Sequence, residues 1–152
     1  LIEMAFETTN APMILNYMPK QKMEINRLIK MLKPKTKKAI QNGLTPNSLR
    51  DYIVTVSQCQ AVIGIEGGAI NIAKGLSKPT FAIFSPIIDP YGWHTEVKNK
   101  IMAVHLADYF PEIIDFKNKK NIKKIDHIKT LYLKLEPKLF KQKWISFLKE
   151  LN

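Results

Sequence analysis

Short apolar runs alternate with stretches of helical periodicity along most of the chain. Four nearly continuous apolar runs predict buried β-strands, at 12–18, 61–66, 80–84 and 100–106. Three stretches with apolar residues at helical spacing predict amphipathic helices, at 20–33, 48–59 and 69–76. Pro34 is expected to end the first helix, and Asn47 or Ser48 to cap the second. Because strands and helices alternate, the pattern predicts an α/β domain with a parallel sheet flanked by helices.

The C-terminal part of the chain has a different texture. A polar, basic stretch at 117–124 precedes two apolar stripes of helical spacing, which Pro137 separates. Trp144 and Phe147 lie on the second stripe and are expected to be core residues or an interdomain anchor. We therefore divide the chain into an α/β domain at 1–116 and a basic helical extension at 117–152 that packs on it.

The charge of the chain sharpens this division. The 152 residues carry a formal net charge of +11, and the segment 117–152 alone holds 11 Lys against 3 acidic residues. Only Arg27 and Arg50 are arginines, which argues against nucleic acid as a partner, because base and phosphate recognition favours the guanidinium fork. The single cysteine, Cys59, cannot form an intrachain disulfide, and the scattered histidines predict no metal site.

The sequence gives no sign of membrane insertion. No apolar run approaches the roughly 20 residues that span a bilayer, and the first ten residues lack the features of a signal peptide. A soluble, cytoplasmic protein is therefore expected. Because the chain begins with Leu1 rather than Met, we expect it to be part of a longer protein.

The candidate chemistry lies where the second predicted strand ends. Glu66 closes the strand, Gly67 and Gly68 follow at once, and a helix then begins. Glycines let a ligand approach the backbone closely, and the free N–H groups and dipole of a helix N-terminus favour an anion. Glu66 can accept hydrogen bonds from sugar hydroxyls, and Asn71 lies one helical turn further on. The alternative is a tight turn whose glycines satisfy packing alone, since a Gly-Gly turn is neither GxGxxG nor a P-loop.

The run EGGAINIAKGLSKPTFAIFSP at 66–86 resembles the donor-binding half of glycosyltransferase family nine, the ADP-heptose:lipopolysaccharide heptosyltransferase family. That family has a GT-B fold of two Rossmann-like domains, and its C-terminal domain carries an Asp-Ser/Thr-Gly-x-x-His-x-Ala turn followed by a strand ending in Phe-Gly-Pro. By position, Glu66 corresponds to the acid, Gly67 and Gly68 to the Ser/Thr-Gly pair, and Asn71 to the histidine. Ser85 corresponds to the glycine of Phe-Gly-Pro.

The resemblance implies a Rossmann-like domain whose backbone at Gly67–Ala69 holds the diphosphate of a nucleotide-diphospho-sugar, without a metal or other cofactor. A family lysine near the donor phosphates has Lys20 or Lys22 as its counterpart, although each can equally be a solvated lysine at a helix start. The family's N-terminal domain, which binds the acceptor and supplies the catalytic Asp, has no counterpart here. No catalytic residue is therefore assigned, and the donor's base and sugar stay open.

Two further functions compete with this one. The basic C-terminal segment and its amphipathic helices suggest a non-catalytic module that binds an anionic membrane surface, against the alternative of a solvated lysine face. Membrane binding and donor binding are compatible, because a transferase acting on a lipid-linked acceptor works at the cytoplasmic face of the membrane. RNA binding is disfavoured, because no aromatic residue lies between Phe116 and Tyr132 to stack bases within the lysine run.

Overall fold

A three-stranded parallel sheet lies at the centre of the protein. The computed structural model describes residues 1–41, 46–90, 101–114 and 125–151. The strands follow the order β1-β2-β3, with bounds Val62–Ile65, Thr80–Ile83 and Ile101–Val104. The register pairs Ile65 with Ile83 and Ile83 with Val104, so all three strands end at one edge of the sheet. The predicted parallel sheet is thus confirmed for three of the four expected strands.

Seven α-helices surround this sheet in the described part of the chain. They are α1 (Ile2–Thr9), α2 (Lys22–Met31), α3 (Pro34–Ala39), α4 (Leu49–Gln58), α5 (Gly68–Gly75), α6 (Ile125–Lys134) and α7 (Lys141–Lys149). Short 3₁₀ turns precede α2 and follow β3, at Pro19–Gln21 and Leu106–Asp108. Of the two caps expected for α4, Ser48 is the one observed, since its hydroxyl accepts the Asp51 N–H at 3.1 Å.

Each face of the sheet is covered by a different set of helices. On one face, α1 and α7 contribute Ala5, Trp144 and Phe147 to a cluster around Phe81 of β2. The rings of Phe81 and Trp144 meet edge to face with centroids 4.9 Å apart. On the other face, Ile70 of α5 packs against Ala82 and Phe84, in and just after β2. The expectation that Trp144 and Phe147 are core residues is confirmed.

The N-terminal third differs most from the expected pattern. The run 12–18 is not a strand: in the described residues it is reduced to one parallel bridge between Met13 and Ile40. The helix α1 was not predicted, and Glu3 within it accepts hydrogen bonds from the Lys33 N–H and the Thr36 hydroxyl. This carboxylate satisfies one backbone donor and one side-chain donor at the start of α3, whose first residue is Pro34, a residue well suited to that position.

The strand β1 is exposed on one face, whereas the apolar run 61–66 predicts a strand covered on both faces. Ile63 and Ile65 are 42% and 74% exposed. The reason is position, because β1 is the first strand in the order and the helices on that face cover the central strand β2. An apolar run therefore marks a strand here without marking its burial.

The helical C-terminal region is joined directly to the α/β core. The boundary predicted between 116 and 117 falls outside the described residues, as does the basic stretch 117–124. Beyond it, α7 belongs to the same core cluster as Phe81, and Leu131 of α6 packs against Leu106 and Ile114. Within the described ranges, no helix combines the length and the apolar character needed to cross a bilayer.

Candidate functional site

The candidate site is the edge at which the three parallel strands end. Glu66 directly follows β1, Ser85 lies two residues after β2, and His105 directly follows β3. In open parallel sheets, ligands bind outside the carboxyl ends of the strands. The topology therefore brings together two residues predicted from the sequence, Glu66 and Ser85, and one that was not, His105.

Glu66 fastens the loop after β2 to the end of β1. Its Oε2 accepts the Ser85 N–H at 2.8 Å, and its own N–H donates to the Ile83 carbonyl at 3.2 Å. A carboxylate has acceptor capacity beyond one such bond, and Oε1 makes no hydrogen bond with any described residue. Glu66 therefore fixes the shape of the edge and still offers one oxygen to a hydroxyl group.

His105 supports the same edge from the opposite side. Its Nδ1 accepts the Ala107 N–H at 2.9 Å, which leaves the ring proton on Nε2, 3.2 Å from the Ser85 carbonyl oxygen. The side chain is buried, and burial lowers the pKa of His105 below its usual value, although the nearby Asp108 carboxylate acts in the opposite direction. The ring is thus held neutral, as a donor to the backbone of the loop.

Tyr132 of α6 completes this network. Its hydroxyl lies 2.6 Å from the Ser85 Oγ, and half of the residue is exposed. The sequence placed Tyr132 only on a helical stripe and placed His105 inside a predicted strand. The one signal for His105 is that a polar residue stands near the end of an apolar run, one position before Leu106. Nothing in the sequence links Tyr132 to Ser85, 47 residues earlier.

The glycine turn forms an open helix N-terminus beside Glu66. Gly67 has φ 145° and ψ −166°, and α5 begins at Gly68 with the bond from the Asn71 N–H to the Gly67 carbonyl at 3.0 Å. The first N–H groups of a helix have no partner within it, and Gly67 has no side chain that caps them. Gly68, Ala69 and Asn71 are exposed. This end of α5 is therefore accessible and favours negative charge.

The space around the two glycines bears on their role. A Cβ built at Gly67 or Gly68 meets nothing within 4 Å among the described residues. Packing is therefore not what keeps side chains away from this turn. The positive φ accounts for glycine at Gly67, whereas Gly68 has helical geometry that any residue adopts. A ligand can therefore approach the backbone at Gly68 without displacing a described side chain.

Lys20 and Lys22 are not connected to this turn. Lys20 lies in the 3₁₀ turn before α2, Lys22 begins α2, and both are exposed. Neither forms a hydrogen bond or ion pair with a described residue of the glycine turn. The structure thus brings together Glu66, the glycines, Asn71 and Ser85. Among the described residues, no hydrogen bond or ion pair joins Lys20 or Lys22 to them.

A cavity of about 480 Å³ lies on the β3 side of the sheet. Its lining includes His105, Asp108, Tyr109 and Lys143, and none of the site residues predicted from the sequence. Lys143 Nζ donates to the Ala103 carbonyl at 2.6 Å. Among the described side chains, no group of three or more His, Cys, Asp or Glu is arranged to hold a metal ion.

Comparison with known proteins adds no family assignment. No protein-family model, curated protein or solved structure matches the chain.

Proposed function

We propose that this chain is the donor-binding domain of a heptosyltransferase-like glycosyltransferase, with the Rossmann-like fold of the C-terminal half of a GT-B enzyme. The observation that carries the proposal is the open N-terminus of α5, where a side chain at Gly68 would meet no described atom within 4 Å. It lies at the carboxyl edge of a parallel sheet, beside a carboxylate that the backbone of Ser85 holds in place. The resemblance of 66–86 to the family's donor-binding motif names the ligand class.

In this proposal the parts of the site have separate tasks. The N–H groups of Gly68 and Ala69 bind the diphosphate of the donor, since a helix N-terminus needs no side chain to hold an anion. Glu66 Oε1 accepts a hydrogen bond from a sugar hydroxyl, and the exposed Asn71 amide donates to a phosphate or hydroxyl oxygen. As the glycosidic bond to the nucleotide breaks, the same N–H groups stabilise the negative charge that develops on the leaving diphosphate.

Donor binding and sugar transfer are expected to depend on different domains. In the heptosyltransferase family that 66–86 resembles, the catalytic Asp comes from the acceptor-binding domain, and no residue of this chain is assigned that task. The ring of His105 is bonded to the backbone of this chain, since its Nδ1 accepts the Ala107 N–H and its Nε2 lies 3.2 Å from the Ser85 carbonyl oxygen. We therefore expect the 152-residue chain to bind a nucleotide-diphospho-sugar without transferring its sugar.

Titration calorimetry tests the proposal. ADP-linked and UDP-linked sugars are titrated into the unmodified chain and into the Gly68→Val variant. The unmodified chain is expected to bind. The Gly68→Val variant is expected to bind at least about tenfold more weakly, since a branched side chain blocks approach to the N–H groups. Gly75→Val is the matched control, because Gly75 ends the same helix and its Cβ also meets nothing within 4 Å.

The outcomes against the proposal are specific. Absence of heat from every nucleotide-sugar at millimolar concentration would count against donor binding by this chain. Equal weakening by Gly68→Val and Gly75→Val would assign the loss to the helix rather than to its N-terminus. A circular dichroism melt of both variants establishes that each is folded during the titration.

A further inference from the structure

The helix α2 is amphipathic by sequence, yet the methionines on its outer side are largely exposed. It contains no buried residue, and Met23 and Met31 are 67% and 85% exposed. Met18, just before it, is also exposed. The half-buried Ile25 and Ile29 lie on the opposite side of the helix. Exposed methionines grouped in this way are unusual for a surface that contacts only water.

Basic residues share this surface with the methionines. Met23, Arg27, Lys30 and Met31 fall at positions i, i+4, i+7 and i+8, which form one stripe along the helix. All four are exposed, and neither Arg27 nor Lys30 forms an ion pair with a described residue. Lys20 and Lys22 add two more exposed cations at the start of the helix. The stripe therefore combines apolar and cationic side chains rather than separating them.

The surrounding segment is the second centre of positive charge in the molecule. The 19 residues 20–38 hold eight basic residues and one acidic residue, Glu24. This net charge of +7 stands beside the +8 of 117–152, and the remainder of the chain has a net charge of −4. The charge is thus concentrated on two segments, and in 20–38 it coincides with exposed apolar side chains.

We propose that this surface, formed by Met18, Lys20, Met23, Arg27, Lys30 and Met31, binds the headgroup region of an anionic lipid bilayer. Methionine side chains enter the acyl boundary, while lysine and arginine extend their stems along it and place their charges among lipid phosphates. The inference stands independently of donor binding, because none of these residues forms a hydrogen bond or ion pair with a described residue of the glycine turn.

The chemistry of the surface favours lipid over two other partners. Protein interfaces are depleted in lysine at their centres, whereas here cations lie between the exposed methionines. Nucleic acid is bound through cations and stacking aromatic rings, and the segment 18–38 contains no aromatic residue. A bilayer surface is the partner that accepts apolar and cationic side chains together.

The structure also distinguishes α2 from the helix at the C-terminus. Trp144, Phe147 and Leu148 of α7 are buried against the sheet, so its apolar side is not available to lipid. The exposed residues of α7 are polar or charged: Lys141, Gln142, Lys143, Ser146 and Lys149. Two basic helices of similar composition therefore present different surfaces, and only α2 presents apolar side chains with its charges.

Vesicle co-sedimentation tests this surface with the 152-residue chain and no nucleotide-sugar present, so that its failure is separate from a failure of donor binding. The expected result is binding to phosphatidylcholine vesicles that contain phosphatidylglycerol, no binding to pure phosphatidylcholine, and release by salt. The triple variant Lys20→Gln, Arg27→Gln, Lys30→Gln is expected to bind at least about tenfold more weakly. The matched control Lys129→Gln, Lys141→Gln, Lys149→Gln removes the same charge from exposed sites on α6 and α7 and is expected to remain within about twofold.

A second variant examines the methionines at constant charge. Met23→Gln with Met31→Gln is expected to weaken vesicle binding by several-fold, because less apolar surface enters the bilayer. Unchanged binding in this variant, or equal loss in the two charge triples, would overturn the proposal. So would absence of vesicle binding, or tighter binding to a single-stranded oligonucleotide that is insensitive to the methionine variant. Unchanged thermal melts exclude unfolding as the cause of any loss.

Discussion

At the scale of single residues, the two adjacent glycines of the turn differ in conformation and in surroundings. Gly67 lies at φ 145° and ψ −166°, a region of backbone space that essentially only glycine occupies. Gly68 is helical, and a side chain there would meet no described atom within 4 Å. The sequence identifies the pair, but only the backbone geometry separates a conformational requirement at Gly67 from an open surface at Gly68.

His105 makes the stability of the protein depend on pH. Its folded-state pKa lies below the usual 6.5, chiefly because the ring is buried, so the neutral form is favoured by folding. The corresponding stabilisation is complete above about pH 6.5 and is lost as pH falls from there toward the folded-state pKa. Urea unfolding is therefore expected to show stability falling below pH 6.5, by at most about 1.4 kcal/mol per pH unit for this one group.

The variant His105→Asn isolates that contribution. An asparagine oxygen near the Nδ1 position can still accept the Ala107 N–H, and asparagine is a favourable N-cap. We expect the variant to be less stable at neutral pH, since the link to Ser85 is lost, and to lose less stability on acidification. Parallel stability curves for the two proteins between pH 7 and pH 5 would show that His105 does not titrate as described.

At the scale of elements, similar apolar runs produced strands with different surroundings. The strand β2 is central, and its first three residues are buried, whereas Ile63 and Ile65 of β1 are exposed at the edge of the sheet. Period and composition predict that a strand forms, because they reflect local backbone preference. They do not predict which strand is central, because that depends on segments far apart in the chain.

A pair of isoleucine variants measures this difference. Ile70 of α5 is 2% exposed, and Ile65 of β1 is 74% exposed. Ile70→Ala is expected to lower the free energy of unfolding by about 2–5 kcal/mol, because it leaves a cavity against Ala82 and Phe84. Ile65→Ala is expected to cost less than about 1 kcal/mol, mostly from β-propensity. Equal costs in chemical denaturation would mean that β1 is covered in solution.

At the scale of the whole molecule, the two ends of the chain are part of one core. Ala5 of α1 and Phe147 of α7 lie in the same buried cluster as Phe81 and Val104 of the sheet. The C-terminal stripe was predicted from its spacing to be a core or interdomain face. The tertiary structure decides between them, since α7 covers the central strand of this chain.

Phe147 provides the test of that arrangement. Phe147→Ala is expected to destabilise the protein by about 3–5 kcal/mol, because the ring is fully buried and packs 5.4 Å from the Phe81 centroid. The adjacent Ser146→Ala is the control, expected within about 0.5 kcal/mol since Ser146 is exposed. Denaturant unfolding followed by far-UV circular dichroism measures both. A small effect of Phe147→Ala would indicate that α7 is not part of the cooperative core.

The sequence by itself determined the local features of this protein. Alternation of apolar runs and helical spacing predicted the three strands of the sheet, and the glycine pair was located directly after the second predicted strand. These features depend on interactions between near neighbours, which the chain order specifies directly. The spacing of apolar residues along the chain also showed that α2 and α7 are amphipathic.

Only the tertiary structure decided which of these features meet. It joined Glu66 to Ser85, brought His105 and Tyr132 to the same loop, buried α7 and left the methionines of α2 exposed. It also reduced the expected strand at 12–18 to one bridge. Such outcomes depend on competition between distant segments for the same buried surface, and a linear pattern contains no measure of that competition.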